Sequence, residues 1–158
     1  MALGRRFKGD VPLKKFDAQA AREIVDGSHN AWCRGDIERL LSYYVDDLTY
    51  WCNAGSLDGS PYVVEGKPTY RTFLRSIASV AESATATEHF TFENGVARVK
   101  VEAYIRHRRT GHTLSGTYRQ VIQFRGRKIL RVEEFHDAAK MAAFWRMVTS
   151  DEAVEQQK

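Results

Sequence analysis

The chain lacks the features that secreted and membrane-spanning proteins need. Its two cysteines, Cys33 and Cys52, cannot supply a disulfide framework and have no zinc-type spacing. No apolar run approaches the roughly 20 residues of a membrane helix. The basic N-terminus has no apolar stretch behind it and does not resemble a secretory signal. We therefore expect a cytoplasmic protein with no membrane partner.

Beyond residues 1–15, the chain also carries no excess of positive or negative charge. The net charge is +4, and residues 1–15 carry five basic residues against Asp10, which accounts for all of it. Two other basic clusters, 106–109 and 125–128, would lie at opposite ends of one strand, about 35 Å apart at roughly 3.3 Å per residue. The pattern favours a basic arm and solvated turns over a nucleic-acid-binding stripe. The basic arm itself is a further candidate for association with nucleic acid, and salt-sensitive nucleic-acid binding that is lost on deleting residues 1–15 would indicate it.

What is present is enough for one α+β domain. The chain has 158 residues, of which 43% are hydrophobic, so it can bury a substantial core. Apolar residues at helical spacing predict a helix from about residue 17 to Gly35, a short one after Asp36 and a third that begins at Pro68. The glycine-rich segment between Asn53 and the third helix is predicted to be a long loop of the kind that forms lids.

In the second half of the chain, apolar and polar residues alternate with a period of two instead of recurring at helical spacing, and this alternation is typical of strands. The predicted strands cover 48–53, 86–92, 96–108, 114–125 and 129–136, followed by a helix capped by Asp137. The predicted organisation is a basic N-terminal arm over 1–15, a single domain over 16–150 and a polar C-terminal tail over 151–158.

Alternation also places many polar side chains on the apolar faces of these strands. In the last strand, Leu130 and Val132 share a face with Glu134 and His136, while Ile129 falls on the other face. The complete set of inward polar residues is Tyr50, Cys52, His107, Tyr118, Gln120, Glu134 and His136. Because buried polar groups need partners, this set predicts either a cavity that holds a ligand or water, or a paired hydrogen-bond network.

Several motifs resemble those of nuclear transport factor 2-like domains. The opening segment WCRGDIERLLSYYVDDLTYW is similar to their helix, Gly-Asp, helix, Asp-Asp and strand sequence, and GKPTYRTFL, TGHTLSGTY and FRGRKILRVEEFHD follow in matching order. The similarity covers roughly residues 17–147 and is strongest for the SnoaL-like and ketosteroid-isomerase-like branches. It implies a cone-shaped, curved sheet, mixed or antiparallel, wrapped around N-terminal helices and enclosing an apolar pocket. It also implies a homodimer formed through the sheet.

The resemblance implies a function only where the residues agree with the family's motifs. The catalytic positions of ketosteroid isomerases would fall on Cys52, Ser28 and Gln120, which lack the required chemistry, so steroid isomerisation is not expected. The SnoaL-type cyclases and limonene-type epoxide hydrolases use an acid on the final strand, and the matching residue is Glu134. The Arg-x-Asp pattern of the epoxide hydrolases would correspond to Lys100 and Glu102, which alternation places on the wetter face.

We therefore expect a pocket for a small hydrophobic molecule and, if the protein is an enzyme, cofactor-free isomerisation, cyclisation or water addition. Glu134 is either the proton-transfer residue, with a pKa raised by an apolar pocket, or a carboxylate paired with an arginine. His136 and His107 are predicted proton relays. The predicted ligand-binding residues are Trp32, Tyr50, Cys52, Tyr118 and Gln120.

No metal or cofactor is expected, because the five histidines show no ligand spacing. The alternative from another class is a non-catalytic ligand-binding or dimerisation module.

Overall fold

The computed structural model describes residues 14–56 and 60–157 of the chain. Its helices are α1 (Ala18–Cys33), α2 (Ile37–Leu41), α3 (Lys67–Val80) and α4 (Ala138–Glu155). Its strands are β1 (Tyr44–Cys52), β2 (Tyr62–Glu65), β3 (Ala81–Glu93), β4 (Val96–His107), β5 (Thr113–Arg125) and β6 (Lys128–Phe135). This is the predicted α+β architecture, with helices on a curved, unclosed sheet.

The helices begin where the sequence places their capping residues. The Asp17 carboxylate accepts a hydrogen bond from the Ala20 backbone N–H at 2.9 Å, and Asp36 accepts one from Arg39 N–H at 3.0 Å. The Asp137 carboxylate does the same for Lys140 N–H at 3.0 Å, and Pro68 lies in the first turn of α3. These caps satisfy backbone N–H groups that have no partner within their own helix.

The six strands form one mixed sheet in the order β2-β1-β6-β5-β4-β3. β1 is parallel to β6, and every other neighbouring pair is antiparallel. The antiparallel meander from β3 to β6 therefore ends with β6 beside β1. In that pairing Cys52 is the register partner of Glu134, although 82 positions separate them.

Three details differ from the sequence-based expectations, and a fourth prediction falls outside the described residues. The predicted long loop contains β2, which pairs with β1 as the edge strand. β3 starts at Ala81, directly after α3, rather than near residue 86. α4 continues through Glu155, so the predicted tail from residue 151 is largely helical. Most of the predicted basic arm, residues 1–13, lies outside the described residues.

Alternation is interrupted at the start of β6. Ile129 is fully buried, whereas the sequence pattern placed it on the face opposite Val132, which is also buried. The β5–β6 register shifts between Gln123 and Phe124, so Leu130 has no register partner and forms a bulge. A bulge adds one residue to a strand, so the alternation on one side of it is reversed relative to the other side. The reversal turns Ile129 inward. Val132 and Glu134 lie together on the other side of the bulge, so Glu134 keeps the inward orientation that was predicted.

The hydrophobic core lies between the sheet and helices α1 to α3. Val25 and Ala31 of α1, Leu41 of α2 and Leu74 of α3 pack against inward residues of the strands, such as Leu48. No helix in the part of the chain that the structure describes is long and apolar enough to cross a membrane.

Candidate functional site

A cavity of about 570 Å³ remains between the inner face of the sheet and the helices. Its wall is rich in aromatic rings, namely Trp32, Tyr44, Tyr50, Tyr62, Tyr70, Phe73, Tyr118 and Trp145. The described lining residues include no lysine or arginine, and the acidic residue among them is Glu134. A site of this size and composition suits a mostly apolar organic molecule without a strong charge.

Glu134 is held by three hydrogen bonds on the cavity wall. Tyr50 donates its hydroxyl to Oε2 at 3.0 Å, and the Gln120 side-chain NH₂ donates to Oε1 at 3.0 Å. His136 Nε2 lies 2.8 Å from Oε2 and forms an ion pair with the carboxylate. The side chains of Glu134 and His136 are only 13% and 15% exposed, so the pair is largely shielded from solvent.

The fold fixes His136 from both sides. The Asn53 side-chain amide donates to the His136 backbone carbonyl at 2.9 Å and accepts from the His136 backbone N–H at 2.7 Å. The imidazole stacks on the Tyr118 ring with centroids 4.1 Å apart and an interplanar angle of 18°. The residue after β1 therefore fixes the backbone of His136, and β5 positions its ring.

A second layer of polar residues supports Gln120. His29 of α1 lies with Nε2 2.9 Å from the Gln120 side-chain oxygen, and both residues are buried. On the far side of the imidazole, Nδ1 lies 3.3 Å from the Thr87 hydroxyl. Thr87 donates to an Asp26 carboxylate oxygen at 2.8 Å.

These contacts determine the protonation states of Glu134 and His136. Burial alone would raise the pKa of Glu134, but the hydrogen bond and charge of His136, with bonds from Gln120 and Tyr50, hold it below its ordinary 4.5. Burial alone would lower the pKa of His136, but its interactions with Cys52 and Glu134 raise that pKa from 6.5 to about 10. Near neutral pH the pair is therefore a carboxylate and an imidazolium.

The tyrosines around the pair remain neutral phenols. Burial, followed by the charge of Glu134, raises the pKa of Tyr50 and of Tyr118 well above 10. Burial also raises the pKa of Tyr70, with Tyr44 as the next contribution. Each phenol therefore keeps its proton and can act as a hydrogen-bond donor at neutral pH.

Cys52, Glu134 and His136 form the cluster in the described ranges whose residue types could hold a metal ion. The thiol sulfur, a carboxylate oxygen and a ring nitrogen lie within 4.8 Å of one another. The 2.8 Å contact between Glu134 and His136 already satisfies both groups. We therefore interpret the cluster as an ion pair beside a thiol.

A model of the SnoaL-like domain family matches residues 25–132, which is more than half of the chain. The chain belongs to the SnoaL-like domain family. A comparison of this SnoaL-like domain with curated proteins finds no match.

Solved structures share the fold of this SnoaL-like domain at low sequence identity. A nuclear transport factor 2-like protein of unknown function from Burkholderia pseudomallei is 19% identical, with a TM-score of 0.71 over 79% of this chain and 96% of that one. TerC, co-crystallised with polyporic acid, is 18% identical, with a TM-score of 0.71 over 80% and 98%. An epoxide hydrolase from M. tuberculosis, of the LEH-like type, is 14% identical, with a TM-score of 0.68 over 87% and 98%. Identities this low establish the shared fold alone.

The SnoaL-like domain gathers most of the predicted site residues around one cavity. Glu134 and His136 line it, as do the predicted ligand-binding residues Trp32, Tyr50, Cys52, Tyr118 and Gln120. Tyr50 and Gln120 contact the Glu134 carboxylate rather than standing free for a ligand oxygen.

Three sequence-based expectations differ from the observed contacts. The ion-pair partner of Glu134 is His136 and not an arginine, and the pKa of Glu134 is lowered rather than raised. His107 is buried away from the residues that line the cavity, with Nδ1 2.9 Å from the Thr110 hydroxyl and Nε2 3.4 Å from Glu152. Lys100, by contrast, is exposed as alternation predicted, and it pairs with Glu88, so the segment matched to the epoxide hydrolase motif lies outside the cavity.

Sequence reasoning missed the residues that support the site. His29 follows Val25 by four positions and so lies on the buried face of α1, which helical spacing could have revealed. Asn53 gave no comparable signal, because its partner is a backbone 83 positions away. Trp145 reaches the cavity from α4, whose docking position no local pattern predicts.

Proposed function

We propose that this SnoaL-like domain is a cofactor-free enzyme that moves protons at a carbon next to a carbonyl group. Its substrate would be an uncharged, largely apolar and flat organic molecule. The observation that carries the proposal is the buried Glu134–His136 pair, a base and an acid 2.8 Å apart on the wall of an aromatic cavity. Acid–base catalysis needs both partners within hydrogen-bond reach of one substrate.

The proposed step balances within the pair. Glu134 takes a proton from the carbon, and the His136 imidazolium gives one to the carbonyl oxygen, which yields a neutral enol. Once His136 has given up its proton, its Nε2 returns to Glu134, the proton on Glu134 passes to it, and the starting charges return. In an isomerisation, the imidazolium then protonates another carbon while Glu134 takes the enol O–H proton, and that proton again passes from Glu134 to His136. In a ring closure, the enol carbon attacks a second carbonyl group, and the enol O–H proton is transferred through the pair to the new alkoxide oxygen.

Substrate binding itself would activate the carboxylate. In the resting pair, His136 opposes the effect of burial on the pKa of Glu134. A carbonyl oxygen that takes the His136 hydrogen bond removes the strongest donor from Glu134. Burial, which favours the protonated acid, then raises the basicity of Glu134 when the substrate is in place.

Water addition to an epoxide receives less support from these residues. The segment matched to the epoxide hydrolase motif is exposed, as Lys100 shows by pairing with Glu88 on the outer face of the sheet. The second candidate function is ligand binding without catalysis, which is favoured by the fact that the resting Glu134–His136 pair is closed.

A solvent-exchange experiment tests the proposal without a known substrate. Flat ketones with acidic C–H bonds, 2-tetralone and anthrone, would be incubated with the protein in D₂O and followed by ¹H NMR. The wild-type protein should accelerate deuterium exchange beside the carbonyl. Glu134→Gln should reduce that acceleration by about 10²–10⁴-fold, the usual contribution of a general base.

Glu102→Gln is the matched control, because Glu102 is exposed on the outer face of β4 and should exchange at the wild-type rate. Binding of either ketone would be followed by quenching of tryptophan fluorescence, since Trp32 and Trp145 line the cavity. Binding without exchange, or equal exchange by Glu134→Gln and wild-type protein, would overturn the catalytic proposal and leave the binding function.

We also propose that the functional unit is a homodimer formed through the outer face of the sheet. Tyr104 of β4, Phe135 of β6 and Val63 of β2 are exposed there, and the Trp51 ring lies 5.2 Å from the Phe135 ring. Exposed apolar residues grouped on one face of a sheet are typical of a protein interface.

A further inference from the structure

A chain of hydrogen-bonding residues links the surface of α1 to the Glu134 carboxylate. It runs from Asp26 through Thr87, His29 and Gln120 to Glu134, with contacts of 2.8, 3.3, 2.9 and 3.0 Å. Asp26 at the outer end is 40% exposed on its side chain, whereas His29 and Gln120 are buried. The chain therefore crosses from solvent to the cavity between α1 and the sheet.

Gln120 gives this chain a direction. Its amide has an oxygen that only accepts and an NH₂ group that only donates. With the oxygen toward His29, the NH₂ group faces Glu134 and stabilises a carboxylate. The reversed amide would place its oxygen against the carboxylate oxygen, and two acceptors 3 Å apart repel unless Glu134 is protonated.

We propose that His29 is a positioning residue that holds the Gln120 amide with its NH₂ group toward Glu134, so that the site retains the carboxylate form. The residue acts through Gln120 and makes no hydrogen bond of its own to Glu134. This inference deepens the proposed function, because a proton-abstracting Glu134 must start each cycle as a carboxylate.

The contacts of 2.8, 2.9 and 3.0 Å can each be given a donor, whereas the 3.3 Å contact between Thr87 and Nδ1 of a neutral His29 has none. An amide oxygen facing His29 requires a proton on Nε2, which leaves Nδ1 of the neutral ring as an acceptor. The single hydroxyl proton of Thr87 points to Asp26, the closer partner at 2.8 Å. Protonation of His29 would add a donor at Nδ1 directed at the Thr87 oxygen, 3.3 Å away. The Nε2 proton is present in both states, so the amide orientation does not depend on the charge of His29.

The chain does not conduct protons. A proton that crossed Gln120 would require the amide to pass through its imidic acid form, which is far less stable than the amide. The chain therefore transmits orientation and electrostatic stabilisation.

Asp26 and Glu134 are the charged groups acting on His29, beside its hydrogen-bond partners Gln120 and Thr87. The groups that face Glu134 are His136, Gln120, Tyr50, Cys52, Tyr44, Tyr70, Tyr118 and His29.

The first test uses the unmodified chain. The ¹⁵N chemical shifts of a histidine ring distinguish a proton on Nε2 from a proton on Nδ1. We expect His29, assigned by comparison with a His29→Gln sample, to carry the Nε2 proton near neutral pH. A ring protonated only on Nδ1 could not donate to the Gln120 oxygen and would overturn the proposal.

The second test compares variants through His136, whose titration reports the charge of Glu134. His29→Leu frees the Gln120 amide to reverse, which weakens the carboxylate form, so the titration midpoint of His136 should fall by about one pH unit. His29→Gln can offer an NH₂ donor to the same oxygen and should restore a midpoint near that of the wild-type protein. Thr87→Val leaves the Nε2 proton in place and should also titrate like the wild-type protein.

A folded His29→Leu variant with the wild-type midpoint would show that His29 is structural only. If His29→Leu does not fold, the tautomer measurement on the unmodified chain still decides the proposal. Neither readout involves a substrate, so each result holds whether or not the deuterium-exchange experiment detects catalysis. If exchange is detected, the acidic limb of its pH profile should move upward in His29→Leu and return in His29→Gln.

Discussion

Glu134 and His136 are the residues that carry the chemistry we propose for this protein. Burial disfavours either charge alone, but His136, Gln120 and Tyr50 favour the charged form of Glu134, and Cys52 and Glu134 favour the charged form of His136. A buried ion pair contributes little stability on average, since desolvation opposes the attraction. Three hydrogen bonds to one carboxylate, on the wall of a cavity that they do not fill, are better explained by a site that must keep a defined charge.

The pair makes stability depend on pH in a defined direction. The folded-state pKa of His136 is raised to about 10, so its contribution is complete below 6.5 and is lost as pH rises toward 10. The folded-state pKa of Glu134 is lowered, so its contribution is complete above 4.5 and is lost as pH falls below that value. The stabilisation should therefore be greatest between these limits and decline on the alkaline side.

Urea unfolding of wild-type protein and His136→Gln measures this dependence. The difference in unfolding free energy should be largest near pH 6 and should shrink steadily toward pH 10. His89→Gln, at an exposed position of β3, reports the effect of replacing a histidine away from the pair. A difference between wild-type protein and His136→Gln that stays constant from pH 6 to pH 10 would contradict the assigned ion pair.

At this scale the sequence predicted which residues meet but not how they interact. Alternation along strands brought Tyr50, Gln120 and Glu134 to one face, because side-chain direction follows from backbone geometry alone. The direction in which the pKa of Glu134 is shifted could not be predicted in the same way. It depends on whether the His136 ring turns toward the carboxylate, which follows from the backbone contact with Asn53 and the ring contact with Tyr118, both distant in sequence.

Among the elements, α4 combines structural and functional residues at adjacent positions. Phe144 is fully buried, whereas Trp145 is half-buried and lines the cavity. The two aromatic rings face different surroundings because successive helical residues are about 100° apart. The helix therefore allows stability and ligand binding to be separated by neighbouring substitutions.

We expect Phe144→Ala to destabilise the fold by about 3–5 kcal/mol, the usual cost of removing a buried aromatic ring. Trp145→Ala should cost less stability but weaken the binding of 2-tetralone or anthrone, because it removes part of the cavity wall. Thermal unfolding and titration by calorimetry measure the two effects. Equal losses of stability in both variants, with unchanged binding in Trp145→Ala, would show that α4 does not shape the ligand site.

The elements that the sequence predicted are those with strong local signals. The capped starts of α1, α2 and α4 and the proline of α3 were located because the side chains that terminate a helix are local. The edge strand β2 was missed, since four residues between glycines carry little periodicity and depend on β1 for pairing. The bulge at Leu130 was also hidden, because it arises from register with β5 and not from the residues of β6 alone.

For the whole molecule, the proposed dimer makes a direct prediction. Tyr104 is 42% exposed on the outer face of the sheet, so Tyr104→Lys should place a charge in the interface and produce monomers. Met147→Lys is the control, because Met147 is similarly exposed but lies on α4. Size-exclusion chromatography with light scattering would measure both masses. A wild-type monomer, or a Tyr104→Lys dimer, would contradict an interface at this face.

The parallel pairing of β1 with β6 has a consequence for biosynthesis. β1 is an inner strand, yet the neighbour that completes it is made 76 residues later. At roughly 5–20 residues per second, that edge stays open for about 4–15 s on the ribosome. An unpaired strand edge is a template for pairing with other chains, so we expect the risk of aggregation to be greatest in this interval. The same delay means that Tyr50 and Glu134 meet only near the end of synthesis, when nearly all of the sheet has already been made.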